Sequence, residues 1–434
     1  MTQTLLNFKL HSTNEKLTPR TGIALLGEYL KGMNLEKLCS DNLPKAKRNN
    51  GYSSFEFIYP LILMLHSGGR FLDDIREIKV DCALTTLLKI KNIPTANAFS
   101  KYLRKHGMIG EEGMRKINKK FLKRFLKSIE NEELILDIDA TFIEAHKNTA
   151  KWSYKDAPGY MPMVGHINGG YIIDVDFREG NEAPASNNLE FLKQCELQLP
   201  IDKKFDRFRA DSASYQAELF NYCEEKNILF TVTAKKNKSM FNSIKSIKDE
   251  VWQTFSKREK IAEFTHTMQD TNNAFRMIVI KKDITPTLPT LEEYISDEVM
   301  MQHQDEIFYC IATNDNDLTQ EEIIKLHRQR GETSENKIKE LKNGFNMSYL
   351  PSSNLEANAF YFQIGTVAYN LFLLFKQILD KNLQKHTVKT IRYKLYNIAG
   401  KVISHARETI LKVNEEFIEL LKRIRQRAYE ESLE

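Results

Sequence analysis

The chain has 434 residues, of which 41% are hydrophobic and 28% are charged. These values are ordinary for a soluble globular protein, and the length predicts two to four domains. The five cysteines are scattered and form no CxxC pair, which argues against a disulfide framework and a thiolate zinc site and favours a reducing cytoplasm. The N-terminus lacks a basic region followed by an apolar core, so we expect no signal peptide.

Positive charge is concentrated in two regions, although the net charge is only +5. Between Lys101 and Ser128 there are ten Lys and Arg residues and two acids, and between Lys376 and Arg427 there are thirteen and five. Basic regions on either side of a more neutral middle suggest a polyanionic partner. Solvated helix faces would explain either region alone.

Residues 1–130 are predicted to be mostly helical, because apolar residues recur at intervals of three and four. Segment 93–107 is predicted as a short helix with Thr95 as its N-cap. A small DNA-contacting unit and a plain connector are both compatible with this helix. A second amphipathic helix is predicted over 116–129.

Strands and helices alternate from residue 134 onward, which indicates an α/β sheet covered by helices. The predicted strands are 134–145, 170–178, 204–212 and 228–235, and the predicted helices are 187–198 and 215–227. Residues 236–320 are predicted as a β-rich insertion. Its strands are 274–282 and 306–314, and the loop between them contains Thr285, Pro286, Thr287, Pro289 and Thr290.

Helical periodicity returns over 318–345, where Thr319 and Glu322 form a candidate capping box and Gly344 a candidate helix end. The following region, up to the C-terminus, is predicted to be helical. Its apolar stretch 359–375 is nearly long enough to span a bilayer. Polar residues interrupt this stretch, so we interpret it as a buried helix rather than a membrane segment.

Acidic residues in the predicted strands are candidates for a functional site. In "LILDIDATFIEA", alternation places Asp137, Asp139 and Thr141 on one face of the strand. A buried carboxylate is unfavourable unless a partner or a metal neutralises it, and a salt-bridged structural role explains this pair equally well. Asp211 ends a strand, where ligand sites of open α/β sheets lie, although helix capping alone would explain it.

Glu335 shares a helical stripe with Ile338, Lys339 and Lys342, and Arg328 lies seven residues before it. A stripe of this mixed composition is not a simple core face. Three carboxylates on separate elements are the ligands that Mg²⁺ prefers. Two such ions, about 3.5–4 Å apart, would activate a water or a 3′-hydroxyl and stabilise the leaving oxygen of a phosphodiester.

Four sequence blocks, in this order, resemble the DDE transposases of bacterial insertion sequences. More narrowly, they resemble the branch with a β-rich insertion before the final glutamate and a tyrosine–arginine–glutamate–lysine signature. The blocks are "LDIDATFIEAHK", "YMPMVGHINGGYIIDVDFREGNEAPASNN", "RADSASYQAEL" and "HRQRGETSENKIKELKNGF", and the basic "TIRYKLYNIAGKVI" is similar as well. The resemblance covers most of 134–410.

The resemblance implies an α/β ribonuclease-H-like catalytic core that is interrupted by the β-rich insertion and flanked by helical N- and C-terminal regions. The implied domains are a helical DNA-binding region (1–130), the first part of the core (131–235), the insertion (236–320), the core helix with the glutamate (321–350) and a helical basic C-terminal region (351–434).

Carried over by position, the resemblance implies that Asp139, Asp211 and Glu335 are the catalytic metal ligands. Asp139 is preferred over Asp137 because the first acid of the family tends to precede a small residue and a threonine, as in "DAT". Asp137 and Thr141 would then support the site.

The resemblance also implies residues that hold DNA phosphates next to the cleavage point. Lys342 stands where the signature lysine is expected, with six residues between it and Glu335. Arg330 is the candidate for the signature arginine, with Arg328 as a competitor, and Lys339 is a further supporting residue. A guanidinium suits bidentate phosphate binding, and an ammonium acts as a point charge.

Two features depart from the signature. His327 replaces the tyrosine, or the tyrosine is absent. One more residue than in the shortest form of the signature separates Arg330 from Glu335, which leaves Glu332 as a rival for the third ligand.

The resemblance implies a cut-and-paste DNA transposase that binds terminal inverted repeats, hydrolyses phosphodiesters with two Mg²⁺ ions and joins the freed ends to target DNA. Mn²⁺ is expected to substitute for Mg²⁺. The implied partner is double-stranded DNA, whose two element ends are brought together by a homodimer and excised through hairpin intermediates. The protein is expected in the bacterial cytoplasm, associated with the nucleoid when it is bound to DNA. No membrane association is expected. Alternatives are a catalytically decayed DNA-binding protein, suggested by the missing tyrosine, and a structure-selective nuclease of the same fold.

Overall fold

The structure, a computed structural model, describes residues 6, 9–45, 51–235, 237–284, 306–406 and 408–433. Contacts within the chain divide it into two compact units. The first unit comprises Met1–Met114, Asn343–Ser352 and Glu356–Glu434, and the second comprises Arg115–Lys342 and Ser353–Leu355. The loop predicted over 285–290 lies outside the described residues.

The second unit is built on one mixed sheet, to which the described residues contribute nine strands. Strand Ile135–Ala140 pairs in parallel with Arg207–Ala210, and Arg207–Ala210 pairs in parallel with Leu229–Thr233. The remaining pairs are antiparallel. In sheet order the strands are Gln253–Ser256, Glu259–His266, Phe275–Asp283, Glu306–Thr313, Leu229–Thr233, Arg207–Ala210, Ile135–Ala140, Met163–Ile167 and Tyr171–Asp176. The predicted α/β class is therefore confirmed.

The strands of the predicted β-rich insertion extend this sheet. Strand Glu306–Thr313 pairs with Phe275–Asp283 on one side and with Leu229–Thr233 on the other. Isoleucines from the insertion strands pack against helix Gln320–Arg328 and form a buried core with it. The strands contribute Ile261, Ile278, Ile280 and Ile311 to this core, and the helix contributes Ile323 and Ile324. The insertion therefore supports the helix that leads toward Glu335.

The helices of the second unit lie where the sequence predicts them, except for Lys238–Lys245, which falls at the start of the segment predicted as strands and loops. Thr319 and Glu322 form the predicted capping box, and the last helix of the 318–345 segment ends at Gly344 as predicted. The helices are Asn188–Gln198, Ala217–Lys226, Lys238–Lys245, Gln320–Arg328 and Asn336–Gly344, with the π-helical turn Gly331–Glu335 between the last two.

Strand Met163–Ile167 is missing from the sequence prediction. All five of its residues are buried, so the segment lacks the alternation of apolar and polar residues that marks a half-exposed strand. The strand pairs with Ile135–Ala140 and with Tyr171–Asp176. A small separate sheet contains the strands Ile143–Glu144, Lys151–Trp152 and Pro158–Tyr160.

The first unit is mainly helical but also contains a three-stranded sheet. Strand Gly400–His405 pairs with Glu408–Val413 and with Lys16–Thr18 near the N-terminus. The prediction of a wholly helical C-terminal region is wrong over these two strands, because pairing with a distant segment overrides local propensity. The helices are Thr21–Gly32, Leu35–Asn42, Ser54–Ser67, Ile75–Lys79, Cys82–Leu87, Leu355–Gln377, Lys381–Gln384, Val388–Ile391 and Glu415–Leu433, together with the first part of Ala96–Ser128.

One continuous helix, Ala96–Ser128, replaces the two shorter helices predicted in this region. Glycines between the two predicted segments normally weaken a helix. Here a Cβ added at Gly110 would collide with the ring of Phe360, which belongs to helix Leu355–Gln377. The glycine therefore permits close helix packing, and this tertiary contact outweighs the low helix propensity.

The apolar stretch 359–375 lies within helix Leu355–Gln377 and is buried throughout. Its polar residues Gln363, Thr366 and Asn370 are buried as well. Over the part of the chain that the structure describes, no helix combines the length and the apolar character needed to cross a bilayer. The interpretation as a buried core helix is confirmed.

His66 is fully buried in the first unit and is held as a neutral ring. The ring nitrogen Nε2 donates a hydrogen bond to the Ala368 carbonyl at 3.0 Å, so Nδ1 accepts one from the Tyr396 hydroxyl at 3.2 Å. Burial, together with the nearby charge of Arg392, lowers the pKa of His66 to about 3. The folded state therefore stabilises the neutral form.

We predict that stability decreases as the pH falls below 6.5, in part through His66. The unfolded residue binds a proton below pH 6.5, whereas the folded residue does so only near pH 3. The stabilising contribution is therefore complete above pH 6.5 and decreases by about 2 kcal/mol between pH 6.5 and 5. Urea unfolding of the wild type and His66→Gln at pH 7.5 and 5.0 should show a smaller pH-dependent loss in the variant. Equal losses would contradict the assignment.

Candidate active site

Two of the predicted acids lie at the carboxyl ends of neighbouring parallel strands. Ile138 is paired with Ala210 in the register of these strands, so Asp139 and Asp211 follow at adjacent positions. Asp211 also caps the short helical turn Ser212–Ser214, where its Oδ1 accepts a hydrogen bond from the Ala213 amide at 3.0 Å. The capping role weighed from the sequence is therefore present, alongside a position at the strand edge where ligand sites lie.

The third acid, Glu335, is the last residue of the π-helical turn Gly331–Glu335 and is exposed. The Asn336 amide donates to the Gly331 carbonyl, five residues back, which defines the wide turn. A π-helical turn contains one residue more than an α-helical turn and is frequent at functional sites. The extra residue between Arg330 and Glu335 in the sequence coincides with this turn.

The electrostatic environment of Asp139 connects the three acids. Burial raises the pKa of Asp139 to about 7, and the charge of Arg330 opposes this shift. The negative charges of Asp211 and Glu335 both raise the pKa further. Because such effects fall off with distance, Asp211 and Glu335 lie within electrostatic range of Asp139. This contribution of Glu335 supports it over its rival Glu332, which is exposed on the same turn.

Arg330 is the cation that pairs with Asp139 among the residues that the structure describes. Its guanidinium lies 3.6 Å from Oδ2 of Asp139, and its side chain is only 9% exposed. The Nε atom of Arg330 is buried and has no hydrogen-bond partner among the described residues. A buried donor without a partner is unfavourable, so this atom is suited to receive an anionic ligand.

Arg328, the competitor for the signature arginine, points away from the acids. It forms an ion pair with Glu259 of the insertion strand at 2.8 Å and lies over the ring of Phe255. The structure therefore distinguishes the two arginines: Arg330 lies beside Asp139, and Arg328 contacts the insertion.

Lys342 connects the helix after Glu335 to the chain that follows the Asp139 strand. Its ammonium donates to the Thr141 hydroxyl at 3.1 Å and to the Phe142 carbonyl at 2.6 Å. Burial lowers the pKa of Lys342 below its usual value. Lys339, the other predicted lysine of this helix, is exposed.

His327 stands at the position expected for the signature tyrosine, but its contacts are structural. Its ring nitrogens form hydrogen bonds with the hydroxyls of Thr233 at 2.9 Å and Thr231 at 3.3 Å. Burial and the neighbouring arginines lower its pKa to about 3, so the ring is neutral. His327 therefore anchors helix Gln320–Arg328 to strand Leu229–Thr233.

Asp137 is neutralised by Arg209 of the neighbouring strand. Two guanidinium nitrogens donate to its two carboxylate oxygens, at 2.7 and 2.8 Å, and both side chains are buried. The Thr333 hydroxyl donates to the same carboxylate at 2.5 Å. Because these contacts engage both carboxylate oxygens of Asp137, they favour Asp139 as the acid that is available to bind a ligand. The sequence analysis missed Arg209 and Thr333, although an arginine inside the strand "RFRA" indicates a buried partner.

The donor chemistry of the three acids fits a hard divalent cation, because carboxylate oxygens are the ligands that Mg²⁺ prefers. Within the described residues, however, no group of three or more His, Cys, Asp or Glu side chains is placed to hold an ion in this conformation.

A mixed sheet with parallel strands that carries acids at their ends is consistent with the ribonuclease-H-like core of a DDE transposase. The model of the transposase DDE domain group 1 family matches residues 6–427, nearly the whole chain. The chain therefore belongs to this family of polynucleotidyl transferases, whose membership implies transposition activity and DNA binding. DDE transposases use divalent metal ions. No curated protein matches the chain.

We predict that Asp139 titrates near pH 7 in the metal-free protein and that Arg330→Gln raises this pKa further. The positive charge of Arg330 favours the ionised carboxylate, so its removal favours the protonated form. Carbon-13 NMR of the aspartate carboxyl groups, with Asp139→Asn to assign the signal, measures both values.

The matched control for this prediction is Arg328→Gln, which removes the charge that pairs with Glu259 and should leave the Asp139 titration unchanged. A wild-type signal that titrates near the usual aspartate value of about 3.9 would contradict the environment described for Asp139.

Proposed function

We propose that the chain is the transposase of a bacterial insertion sequence, from the branch with a β-rich insertion and a tyrosine–arginine–glutamate–lysine signature. It binds the terminal inverted repeats as a homodimer, hydrolyses phosphodiesters at the element ends, and joins the freed 3′-hydroxyls to target DNA. The observation that carries this proposal is the position of Asp139 and Asp211 side by side at the ends of neighbouring parallel strands, with Arg330 3.6 Å from Asp139. The charge of Glu335 also acts on Asp139, whose pKa it raises.

Asp139, Asp211 and Glu335 hold two Mg²⁺ ions in this proposal, and Mn²⁺ substitutes for them. The bound ions supply the positive charge that activates a water or a 3′-hydroxyl and stabilises the leaving oxygen. Arg330 positions the phosphate beside Asp139, since its Nε has no partner among the described residues and a guanidinium donates to two phosphate oxygens at once.

Lys342 has two roles in the proposed site. Its ammonium fixes the start of the chain after the Asp139 strand through Thr141 and Phe142. Its second role is the phosphate contact that the family resemblance implies for the signature lysine. Arg328 and Lys339 are exposed on the helices on either side of the turn, so any DNA phosphates that they contact lie further from the cleavage point. The ion pair of Arg328 with Glu259 limits the contribution of Arg328.

The N-terminal basic region is the better candidate for contact with DNA outside the active site. Helix Ala96–Ser128 exposes Lys101, Arg104 and Lys105, which suits electrostatic binding to phosphates. In the C-terminal region several cations are already engaged by acids. Asp380 pairs with Arg423 and Arg427 at 2.8 Å, and Glu28 pairs with Arg425 at 2.6 Å.

We predict that Asp139→Ala, Asp211→Ala and Glu335→Ala each reduce cleavage of an element end by at least roughly 10²–10³-fold, because each removes stabilisation of charge that develops during the reaction. Binding of the end should change little. Gel-shift and cleavage assays, on a fragment that carries the inverted repeats flanking the reading frame, measure the two effects separately.

Glu332→Ala is the matched control for the glutamate, since Glu332 is exposed on the same π-helical turn. Normal cleavage by any of the three alanine variants would refute that residue as a ligand. Loss of cleavage in Glu332→Ala, with activity retained in Glu335→Ala, would exchange the two glutamates.

We predict that alanine substitutions of Arg330 and Arg328 reduce cleavage to different extents in the same assay. Arg330→Ala should reduce cleavage by roughly 10²-fold, because it removes the guanidinium beside Asp139. Arg328→Ala removes an exposed cation paired with Glu259 and should change cleavage by less than about threefold. The opposite order of effects would make Arg328 the signature arginine.

A catalytically decayed DNA-binding protein is the second candidate function. The observation that favours it is His327, which replaces the expected tyrosine and whose ring nitrogens are engaged by Thr231 and Thr233. A wild-type protein that binds the element ends but does not cleave them with Mg²⁺ or Mn²⁺ would establish this function. Cleavage without joining of pre-cut ends would instead indicate a nuclease.

A further inference from the structure

Three buried or partly buried side chains form one closed hydrogen-bonded group. Arg209 donates to both carboxylate oxygens of Asp137, at 2.7 and 2.8 Å, and to the Thr333 hydroxyl at 2.8 Å. The Thr333 hydroxyl in turn donates to Asp137 at 2.5 Å. A further guanidinium nitrogen of Arg209 donates to the Leu326 carbonyl at 2.6 Å. The group therefore joins two strands to the helical segment that carries Glu335.

Each member of this group lies two residues before one of the three acids. Residues two apart in a strand project from the same face. Asp137 therefore shares a face with Asp139, and Arg209 shares a face with Asp211, and this face is turned toward the helical segment. Thr333 precedes Glu335 by two residues within the π-helical turn. One hydrogen-bonded group thus contacts all three segments that carry the acids, immediately beside each acid.

We propose that Asp137, Arg209 and Thr333 form a positioning cluster that sets the distances between the three catalytic carboxylates. The inference rests on the proposed function, because it takes Asp139, Asp211 and Glu335 as the metal ligands. The cluster members do not touch the reacting atoms. They act by fixing the backbone from which each acid projects, as partners behind metal ligands commonly do.

Thr333 is the member best suited to a test. Its hydroxyl links the Glu335 turn to the ion pair, whereas the Asp137–Arg209 pair also joins the two strands. Thr333→Val keeps the size of the side chain and removes only the hydroxyl. Thr333→Ser keeps the hydroxyl. Loss of function in the first variant and its recovery in the second would separate hydrogen bonding from packing.

The chain offers a matched control in the same unit. Thr313 is a buried threonine whose hydroxyl accepts a hydrogen bond from the Asp315 amide at 3.1 Å. Asp315 forms a buried ion pair with Arg207 at 2.7 Å. Arg207 lies on the same strand as Arg209, two residues before it. Thr313→Val therefore removes a threonine hydroxyl next to a comparable Asp–Arg pair that lies away from the acids.

The experiment measures Mn²⁺ affinity of the full-length protein by electron paramagnetic resonance and the Mg²⁺ concentration for half-maximal cleavage of an element end. Thr333→Val should weaken Mn²⁺ binding and raise the Mg²⁺ requirement by about 10–100-fold. Thr333→Ser and Thr313→Val should stay within about threefold of the wild type in both measurements. Thermal unfolding of all variants reports any loss of the fold.

The outcomes distinguish this inference from the proposed function. If Asp139→Asn and Glu335→Gln weaken Mn²⁺ binding while Thr333→Val behaves like Thr313→Val, the positioning cluster is refuted and the ligand assignment stands. If Thr333→Val only lowers the unfolding temperature and leaves the metal requirement unchanged, its role is structural and the inference is overturned. A wild-type protein that neither binds Mn²⁺ nor cleaves DNA overturns the proposed function itself, and the inference with it.

Discussion

The buried ion pair between Asp137 and Arg209 is the interaction on which the arrangement of the site depends. The two residues are paired in the register of neighbouring parallel strands and are each about 2% exposed. Burying two charges is unfavourable unless their geometry is good and further hydrogen bonds satisfy them, and Leu326 and Thr333 provide these bonds. A shift of one residue in the pairing would leave both charges buried without partners, so the ion pair fixes the strand register.

The same pair explains why two acids on one strand face have different properties. Arg209 contacts Asp137 through two hydrogen bonds below 3 Å, whereas Arg330 approaches Asp139 only to 3.6 Å. Burial raises the pKa of Asp139 to about 7, and the charge of Arg330 offsets only part of this effect. Asp137 is therefore held in a close ion pair, whereas the charge of Asp139 is compensated only in part. Acids that differ in this way within one site commonly divide structural and chemical roles.

Local sequence patterns predicted the parts of the fold that alternate or repeat within a short segment. Strand Met163–Ile167 is not predicted, because both of its faces are buried and its sequence does not alternate. Helix Ala96–Ser128 is predicted as two helices, because the local sequence does not reveal that its glycines pack against a distant helix. Asp139 and Asp211 stood out as acids within and at the end of predicted strands, and Glu335 stood out on a helical stripe of mixed composition, but the choice of these three came from the family resemblance. The partners of Asp137 were not predictable, because the fold brings Arg209 and Thr333 to Asp137 from 72 and 196 residues away.

The π-helical turn accommodates the additional residue that the family resemblance predicts between Arg330 and Glu335. The helical segment is anchored before the turn by His327 and after it by Lys342, through contacts with other elements. An additional residue between two fixed anchors must be accommodated between them, and a π-helical turn holds one more residue without moving either anchor. Counting residues from Arg330 in the shortest signature would select Ser334, which is fully buried and contacts His166. The wide turn instead presents Glu335 at the surface, within electrostatic range of Asp139.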